Sequence, residues 1–498
     1  MTSSNLLSIG AGIALCFTLW SCKKEAPAST PPNVLFIAID DLRTELACYG
    51  KDLVHAPNLD GLAKEGFLFQ NHYVNVPTCG ASRYAMLTGM LPKTKDHISN
   101  RAMYKFMAEQ AESERPESFV HQLKRNNYYT VGIGKISHSV DGLVYEYRDE
   151  PSNIKEMPHS WDEFLFDAGK WETGWNSFFA YADGSNRNDM EKQVKPYEMA
   201  DVEDDGYPDG LTTELALKQL QQLKKKQQPF FLGVGYFKPH LPFNAPKKYW
   251  DLYKEENMPI SPEQNLALQI NQASLHGSGE FNQYALGEEK ASLDSNMTTA
   301  YQQKLKHAYY ACISYIDAQV GELLAELERL ELADNTIIVV WGDHGWHLGD
   351  QRVWGKHTLF ERALKSTLML KIPGLQDHAR SVPEIVSSTD LYPTILAACG
   401  INSSIPTDGN NLLPLLTEDQ TQPWRNTAYS YFRNGISVRT DRYRFTKYFR
   451  DASPTIELYD HQADPLEQQN LAQELPEVVE QLLPVWEKGN TGLYTSEK

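Results

Sequence analysis

The run Asn33-Val34-Leu35-Phe36-Ile37-Ala38-Ile39 is continuously apolar and rich in β-branched and aromatic side chains, the pattern of a strand covered on both faces. It stops at Asp40-Asp41. Three more such runs end in polar groups: 129–133 before Gly134-Lys135, 230–236 before Lys238-Pro239-His240, and 336–341 before Gly342-Asp343-His344-Gly345. Between them, helical spacing of apolar positions predicts helices over 58–66 (with a glycine stop), 119–126, 211–226 and 300–331. Helices alternating with buried strands imply an α/β fold, a large, mostly parallel sheet flanked by helices. Ligands of such sheets gather beyond the carboxyl ends of the strands, so the four polar strand ends are expected on one rim. Residues 139–210 are polar, acidic and aromatic with weak periodicity and read as long functional loops. After about residue 420 short alternating segments, 436–439 and 443–448, predict a small antiparallel sheet with helices in a smaller C-terminal α+β domain.

A chain of 498 residues accommodates both units. The expected division is a signal segment over 1–22, a linker over 23–32, a large catalytic domain over 33–422 and a C-terminal subdomain over 423–498. A net charge of −18 argues against nonspecific binding of nucleic acid or an anionic membrane. An anionic substrate stays compatible, because local basic residues set the field inside a cleft. Residues 6–20 form an apolar run short for a membrane span, and Leu19-Trp20-Ser21-Cys22 resembles a loose bacterial lipobox. Trp20 fits that pattern poorly, and no Lys or Arg precedes the run. The expectation is an exported protein, periplasmic or on the outer membrane or cell surface, touching membrane only through a lipid on Cys22. Cysteines at 16, 22, 48, 79, 312 and 399 leave an odd, widely spaced set once the leader and a used Cys79 are removed. That is no disulfide framework.

Cys79-Gly80-Ala81-Ser82-Arg83 sets a cysteine four residues before an arginine at the head of a helical run. If Cys79 opens a helix, free N–H groups and the helix dipole favour an anion there, and Arg83 projects from the next turn. Asp40, Asp41 and Asp343 with His344 supply a hard donor set that suits Ca²⁺ or Mg²⁺ better than zinc. Lys135 and His138 follow one strand. Lys238 and His240 sit in a Pro-bracketed loop, where an extended backbone would turn both to the same side. Lys356 and His357 follow Trp354-Gly355. Histidines serve as acid or base near neutrality, and lysines neutralise a multiply charged transition state. Singly, each has an ordinary structural reading as a cap, a turn or a surface group. Together they describe a site.

Cys79 to Arg83 with Thr88-Gly89, the segment 33–41, Gly134-Lys135-Ile136-Ser137-His138, Lys238-Pro239-His240 and Asp343-His344-Gly345-Trp346 resemble the motifs of type I sulfatases. The resemblance runs from about residue 33 to 375 and resumes at Tyr459 and Asp464-Pro465-Leu466-Glu467. Within the family it is most similar to iduronate-2-sulfatases, through Asp40-Asp41-Leu42-Arg43, Phe237 to Phe243 and Trp354-Gly355-Lys356-His357. It implies an alkaline-phosphatase-like fold and oxidation of Cys79 to Cα-formylglycine, whose hydrate attacks sulfur and then expels sulfate by collapsing to the aldehyde. By resemblance, Asp40, Asp41, modified Cys79, Asp343 and His344 ligate Ca²⁺, with Mg²⁺ as the other candidate. Arg83 and Lys135 hold the formylglycine and sulfate, His138 assists the diol, and His240 and Lys356 serve the leaving alcohol. Lys238 is expected to meet a substrate carboxylate, with His357 also binding substrate. The implied substrate is a sulfated glycan such as a glycosaminoglycan, ulvan or carrageenan, carrying 2-O-sulfate on a uronic acid. Ala81 stands where the commoner signature has Pro, which leaves open whether a formylglycine-generating enzyme or an anaerobic radical-type maturating enzyme is the partner. Two other readings are a phosphatase or phosphodiesterase of the alkaline phosphatase superfamily, which would want Ser or Thr as nucleophile and two zinc ions, and a non-catalytic glycan-binding lipoprotein.

Overall fold

The computed structural model describes residues 1, 31–111, 114–145, 152–375, 378–417 and 423–494. The leader, Cys22 and most of the linker lie outside the described residues. Eight strands form the main sheet: β1 Asn33–Ile39, β2 Phe67–Tyr73, β3 Tyr129–Gly134, β4 Glu163–Leu165, β5 Phe230–Tyr236, β6 Thr336–Gly342, β7 Leu368–Lys371 and β8 Arg380–Ser387. Their order is β8-β2-β7-β6-β1-β5-β3-β4, and only β7 runs antiparallel to its neighbours.

The four strands with polar ends, β6, β1, β5 and β3, are adjacent and parallel. Asp343, Asp40, Lys135 and the 237–240 turn therefore leave the sheet along one edge. Alternate residues of each strand serve opposite faces. Leu35, Ile37, Leu232, Val234, Ile338 and Val340 pack beneath helices α1 (Pro57–Glu65), α4 (Pro208–Lys226) and α5 (Thr299–Arg329). Val34, Phe36, Phe231, Val339 and Trp341 pack beneath α2 (Cys79–Thr88), α3 (Phe119–Arg125) and α6 (Leu391–Ala398).

Beyond the main sheet, β9 (Ala428–Phe432), β10 (Gly435–Arg439), β11 (Tyr443–Tyr448) and β12 (Ile456–Asp460) form an antiparallel meander. Helix α7 (Pro476–Glu487) covers it, inserting Trp486 and Leu482 beside Tyr431, Ile436 and Phe445. Among the described residues the four cysteines are all free, and no helix is long and apolar enough to cross a membrane.

Candidate active site

Cys79 is the first residue of α2, every residue of which is buried. Thr78 precedes it in extended conformation, and Gly89 closes the helix at φ 67°, where a side chain would be strained. The orphan N–H of Gly80 donates to Asn100 Oδ1 at 2.9 Å. Gly80 is required by contact: a Cβ there would lie 2.6 Å from the Asn100 carbonyl oxygen. One turn on, the Ser82 hydroxyl donates to the Asp343 carbonyl at 2.5 Å, and Arg83 Nε donates to Asp343 Oδ2 at 2.9 Å. Arg83 Nη1 also donates to the Lys135 carbonyl. Helix α2 is thus pinned to the ends of β6 and β3.

Asp41 takes a left-handed conformation, φ 60°, held from both sides. Its N–H donates to Asp343 Oδ1 at 3.0 Å, and its carbonyl accepts from Tyr309 of α5 at 2.6 Å. Its Oδ1 lies 3.1 Å from Lys356 Nζ and 3.2 Å from His344 Nδ1. Cys79 Sγ sits 3.2 Å from both Lys356 Nζ and His344 Nε2. Asp40 Oδ2 accepts from Lys135 Nζ, whereas Asp40 Oδ1 is buried with no hydrogen-bond partner. One ligand atom each of Asp40, Cys79, Asp343 and His344 fits within 4.8 Å of the others.

The charges explain what this cluster can hold. Burial opposes ionisation of Asp40, but Lys135, His240 and Arg83 outweigh it and keep that carboxyl well below the usual range. Asp41 is driven well above the range by burial, which Lys356 only partly offsets. Asp343 is raised by burial and then by Asp40. Buried carboxylates that resist ionisation, with an orphaned oxygen on Asp40 and an imidazole alongside, form a donor set that a hard divalent cation would complete. The residues fit Ca²⁺ or Mg²⁺. Burial, then Asp40, pushes the Cys79 thiol up to about 12, so as a plain cysteine it is a poor nucleophile.

Above the cluster opens a cleft of about 850 Å³. Cys79, Lys135, His138, His240 and Lys356 reach it, so these predicted residues come together at its floor. Trp175, Phe178 and Phe179 form an aromatic wall. Arg187, Lys192, His276, His357 and Arg433 add positive or protonatable groups to the lining, although the whole chain is acidic. The His357 ring stacks on Phe432, centroids 5.4 Å apart. The Glu156 carboxylate holds the His138 loop: Oε2 accepts from the N–H groups of His138 and Ser139 at 3.0 and 2.9 Å, and Oε1 accepts from the Ser139 hydroxyl at 3.0 Å. Burial, and then Lys135, keeps His138 neutral-favouring, well below the usual imidazole range.

Of the residues expected to touch sulfate or substrate, two do not reach the cleft. Arg83 is fully buried beneath Cys79 and directs its guanidinium to Asp343 and the Lys135 carbonyl. Lys238 also lies behind the cleft, its Nζ donating to the His240 carbonyl at 3.0 Å. The expectation that an extended segment turns Lys238 and His240 to one side fails because residues 237–240 make a turn, closed by His240 N–H donating to the Phe237 carbonyl at 2.9 Å. Cys22 lies outside the described residues. Sequence reading missed Asn100, Glu156, His276, Glu280 and Arg433. Of these only Glu156 fell in the segment read as functional loops, 139–210; the others carry no periodic signal.

Comparison with known proteins shows what the chain is similar to. A family model described as Sulfatase matches residues 32–401, and one described as N-sulphoglucosamine sulphohydrolase, C-terminal, matches residues 342–485. Iduronate 2-sulfatase of Mus musculus is 31% identical over 400 residues, covering 76% of this chain and 65% of the relative. The Homo sapiens protein is 29% identical over 442 residues, covering 80% and 75%, and a sulfatase of Formosa agariphila is 28% identical over 457 residues, covering 88% and 82%. The chain thus spans just under two thirds of the mouse relative's length. Among solved structures, a phosphonate monoester hydrolase of Agrobacterium radiobacter aligns with TM-score 0.70 at 21% identity, covering 92% of this chain and 96% of that one. A protein described as a 2-O GAG sulfatase aligns with TM-score 0.65 at 19% identity, covering 94% of each chain. These two alignments show a shared fold.

Proposed function

The chain belongs to the sulfatase family, and from that premise we propose that it hydrolyses sulfuric esters of a sulfated glycan, removing 2-O-sulfate from a uronic acid. The observation that carries this reading is the meeting of Cys79, Lys135, Lys356, His138 and His240 in one cleft that Arg187, Lys192 and Arg433 also line. A sulfate ester brought to position 79 meets two ammonium groups, and a further acidic sugar meets more cations along the lining.

Ca²⁺ or Mg²⁺ held by Asp40, Asp41, Asp343, His344 and residue 79 would polarise the sulfate oxygens and favour ionisation of the attacking hydroxyl. Formylglycine at position 79, made from Cys79 by a formylglycine-generating or radical-type maturating enzyme, would supply that hydroxyl as its hydrate. The chain's own residues do the rest. Lys135 and Lys356 bind non-bridging sulfate oxygens, Lys356 from 3.2 Å off the Cys79 sulfur. His138 accepts or returns a proton at position 79, and His240 with Lys356 serves the departing alcohol. Arg83 fixes the Asp343 carboxylate rather than touching sulfate. The uronate carboxylate meets Arg187, Lys192 or Arg433, His357 lies against the sugar, and Trp175 and Phe178 offer an apolar surface to the ring. In the cell, the reading places the protein outside the cytoplasm, anchored through a lipid on Cys22.

The test is sulfate release from defined oligosaccharides carrying sulfate at the 2-position of a uronic acid, at other positions or on neutral sugars, with phosphate monoesters and diesters alongside. Preferred release from the 2-O-sulfated uronates is expected. Preference for phosphate esters would move the chain to the phosphatase reading, and equal rates on neutral sugars would remove the uronate.

A further inference from the structure

Residues 179–187 turn back on themselves beside the cleft. Ala180 and Asn186 bridge across the turn, and the Arg187 N–H donates to the Phe179 carbonyl at 3.2 Å. Asn244 Nδ2 ties the first arm down by donating to the Ala180 carbonyl at 2.8 Å. On the second arm, Asn186 Oδ1 accepts from the N–H groups of Asn188 and Asp189 at 2.9 and 3.0 Å, and the Lys192 N–H donates to the Arg187 carbonyl at 2.8 Å. The backbone of 186–189 is fixed by these contacts, and the side chains of Arg187 and Asn188 are left to line the cleft.

Arg187 is only 7% exposed, its guanidinium carbon 3.5 Å from the Phe179 ring centroid and 5.5 Å from that of Tyr284. Its Nε is buried without a hydrogen bond, and so is Nδ2 of the neighbouring Asn188. Among the described residues no carboxylate pairs with Arg187. Glu280, the one carboxylate of the lining, sits 3.0 Å from His240 Nε2 and 3.6 Å from Lys356 Nζ instead. A buried cation without a counter-ion is costly, and an adjoining amide donor without an acceptor adds to the cost. An anion entering the cleft would offset both. The other two cations are placed differently: Lys192 is exposed, and Arg433 Nη1 already donates to the Leu275 carbonyl at 3.5 Å.

The spacing to the sulfate end of the cleft selects the kind of anion. Lys135 Nζ lies 3.9 Å from the Phe178 ring centroid, and the Phe178 and Phe179 centroids are 4.8 Å apart in edge-to-face contact. Lys135 and Arg187 therefore flank one pair of rings. In a six-membered uronic acid the O2 sulfate and the C5 carboxylate leave from opposite corners of the sugar. One such sugar lying along the phenylalanines presents its sulfate to Lys135 and its carboxylate to Arg187. A guanidinium stacked over a ring keeps its N–H groups at the edge, where two can fork onto a planar carboxylate. We propose that Arg187, with Asn188 beside it, is the carboxylate receptor that makes the cleft selective for a sulfated uronic acid, a role that rests on the sulfatase reading and assigns its selectivity to one residue.

Removing the carboxyl from the substrate separates this role from a merely structural one. The matured wild-type enzyme, Arg187→Met, Arg187→Lys and Asn188→Ala are compared on a 2-O-sulfated uronate disaccharide and on the same disaccharide with its carboxyl reduced to an alcohol. Wild type is expected to prefer the uronate. Arg187→Met keeps an apolar stem against Phe179 and should lower kcat/KM on the uronate about 10²-fold, mostly through KM, with a change of about twofold or less on the reduced sugar. Arg187→Lys keeps the charge without the fork and is expected to lie between, and Asn188→Ala should show a smaller loss confined to the uronate. Should Arg187→Met not accumulate folded, the other two variants make the same comparison. Equal losses on both sugars, no loss on the uronate, or a wild type indifferent to the carboxyl would overturn the proposal. A loss confined to a reduced sugar bearing a second sulfate would overturn it too, by giving the receptor to sulfate. Failure of the wild-type enzyme to release sulfate from either disaccharide would instead sink the sulfatase reading beneath it.

Discussion

Replacing Arg83 by methionine tests the claim that this arginine serves the site through Asp343. Arg83 is fully buried, with Nε and Nη2 each 2.9 Å from Asp343 Oδ2 and Nη2 3.8 Å from Asp40 Oδ1. Methionine fills much of the same space without charge, so packing is largely kept. What disappears is the compensation of two carboxylates that water cannot reach. Leaving one partner of a buried ion pair alone costs about 3–5 kcal/mol. Asp343, already raised by burial and Asp40, would lose the guanidinium that opposes that rise. Adding Asp343→Asn removes the stranded charge, and the double variant should recover about 1–3 kcal/mol relative to additivity. The assay is urea unfolding followed by tryptophan fluorescence, using the 10 tryptophans of the chain. It is run in chelator, because a bound cation would add stability of its own. A loss below about 1 kcal/mol, the range of exposed pairs, would refute the reasoning.

Three further outcomes follow from other contacts. Gly80→Ala drives a Cβ to within 2.6 Å of the Asn100 carbonyl oxygen, so Cys79 must shift; kcat should fall by about 10²-fold, and a near wild-type rate would show that the helix start tolerates displacement. Glu156→Gln removes one of the two carboxylate oxygens that gather Ser137, His138 and Ser139, and kcat should drop with KM little changed, which steady-state kinetics reads directly. Lys238→Ala takes a donor from the His240 carbonyl behind the cleft; kcat/KM should fall to a similar extent on uronate and neutral sulfated substrates, whereas a selective loss on uronates would return Lys238 to carboxylate recognition.

The strand ends were legible because buried parallel strands leave an unmistakable apolar run, and Asp40, Lys135 and Asp343 fall where those runs stop. Helix α4 begins at Pro208, three residues before the apolar periodicity becomes visible, because proline suits the first turn without contributing to an apolar face. Strands β7 and β8 escaped notice for a different reason. β7 is only Leu368–Lys371, and β8 alternates exposed and buried positions at the sheet edge with Pro383 inside it. The site divides in the same way. Residues fixed by a strand end or a helix start could be placed from sequence. Arg433, at φ 42° in the turn between β9 and β10, and Glu280, beside a short turn, depend on tertiary contacts that leave no periodicity. Lys238 shows the converse hazard, since a two-residue spacing places side chains on one face only if the backbone is extended, and here it turns.

The account stands on position 79 acting as a converted cysteine in sulfate ester hydrolysis. Co-expression with a maturating enzyme, followed by mass analysis of the peptide carrying residue 79 and sulfate release from a 2-O-sulfated uronate disaccharide by the same preparation, tests it most directly. The account predicts the aldehyde mass in proportion to activity, and neither in Cys79→Ala. Sulfate release from protein whose Cys79 is wholly an unmodified thiol would contradict it.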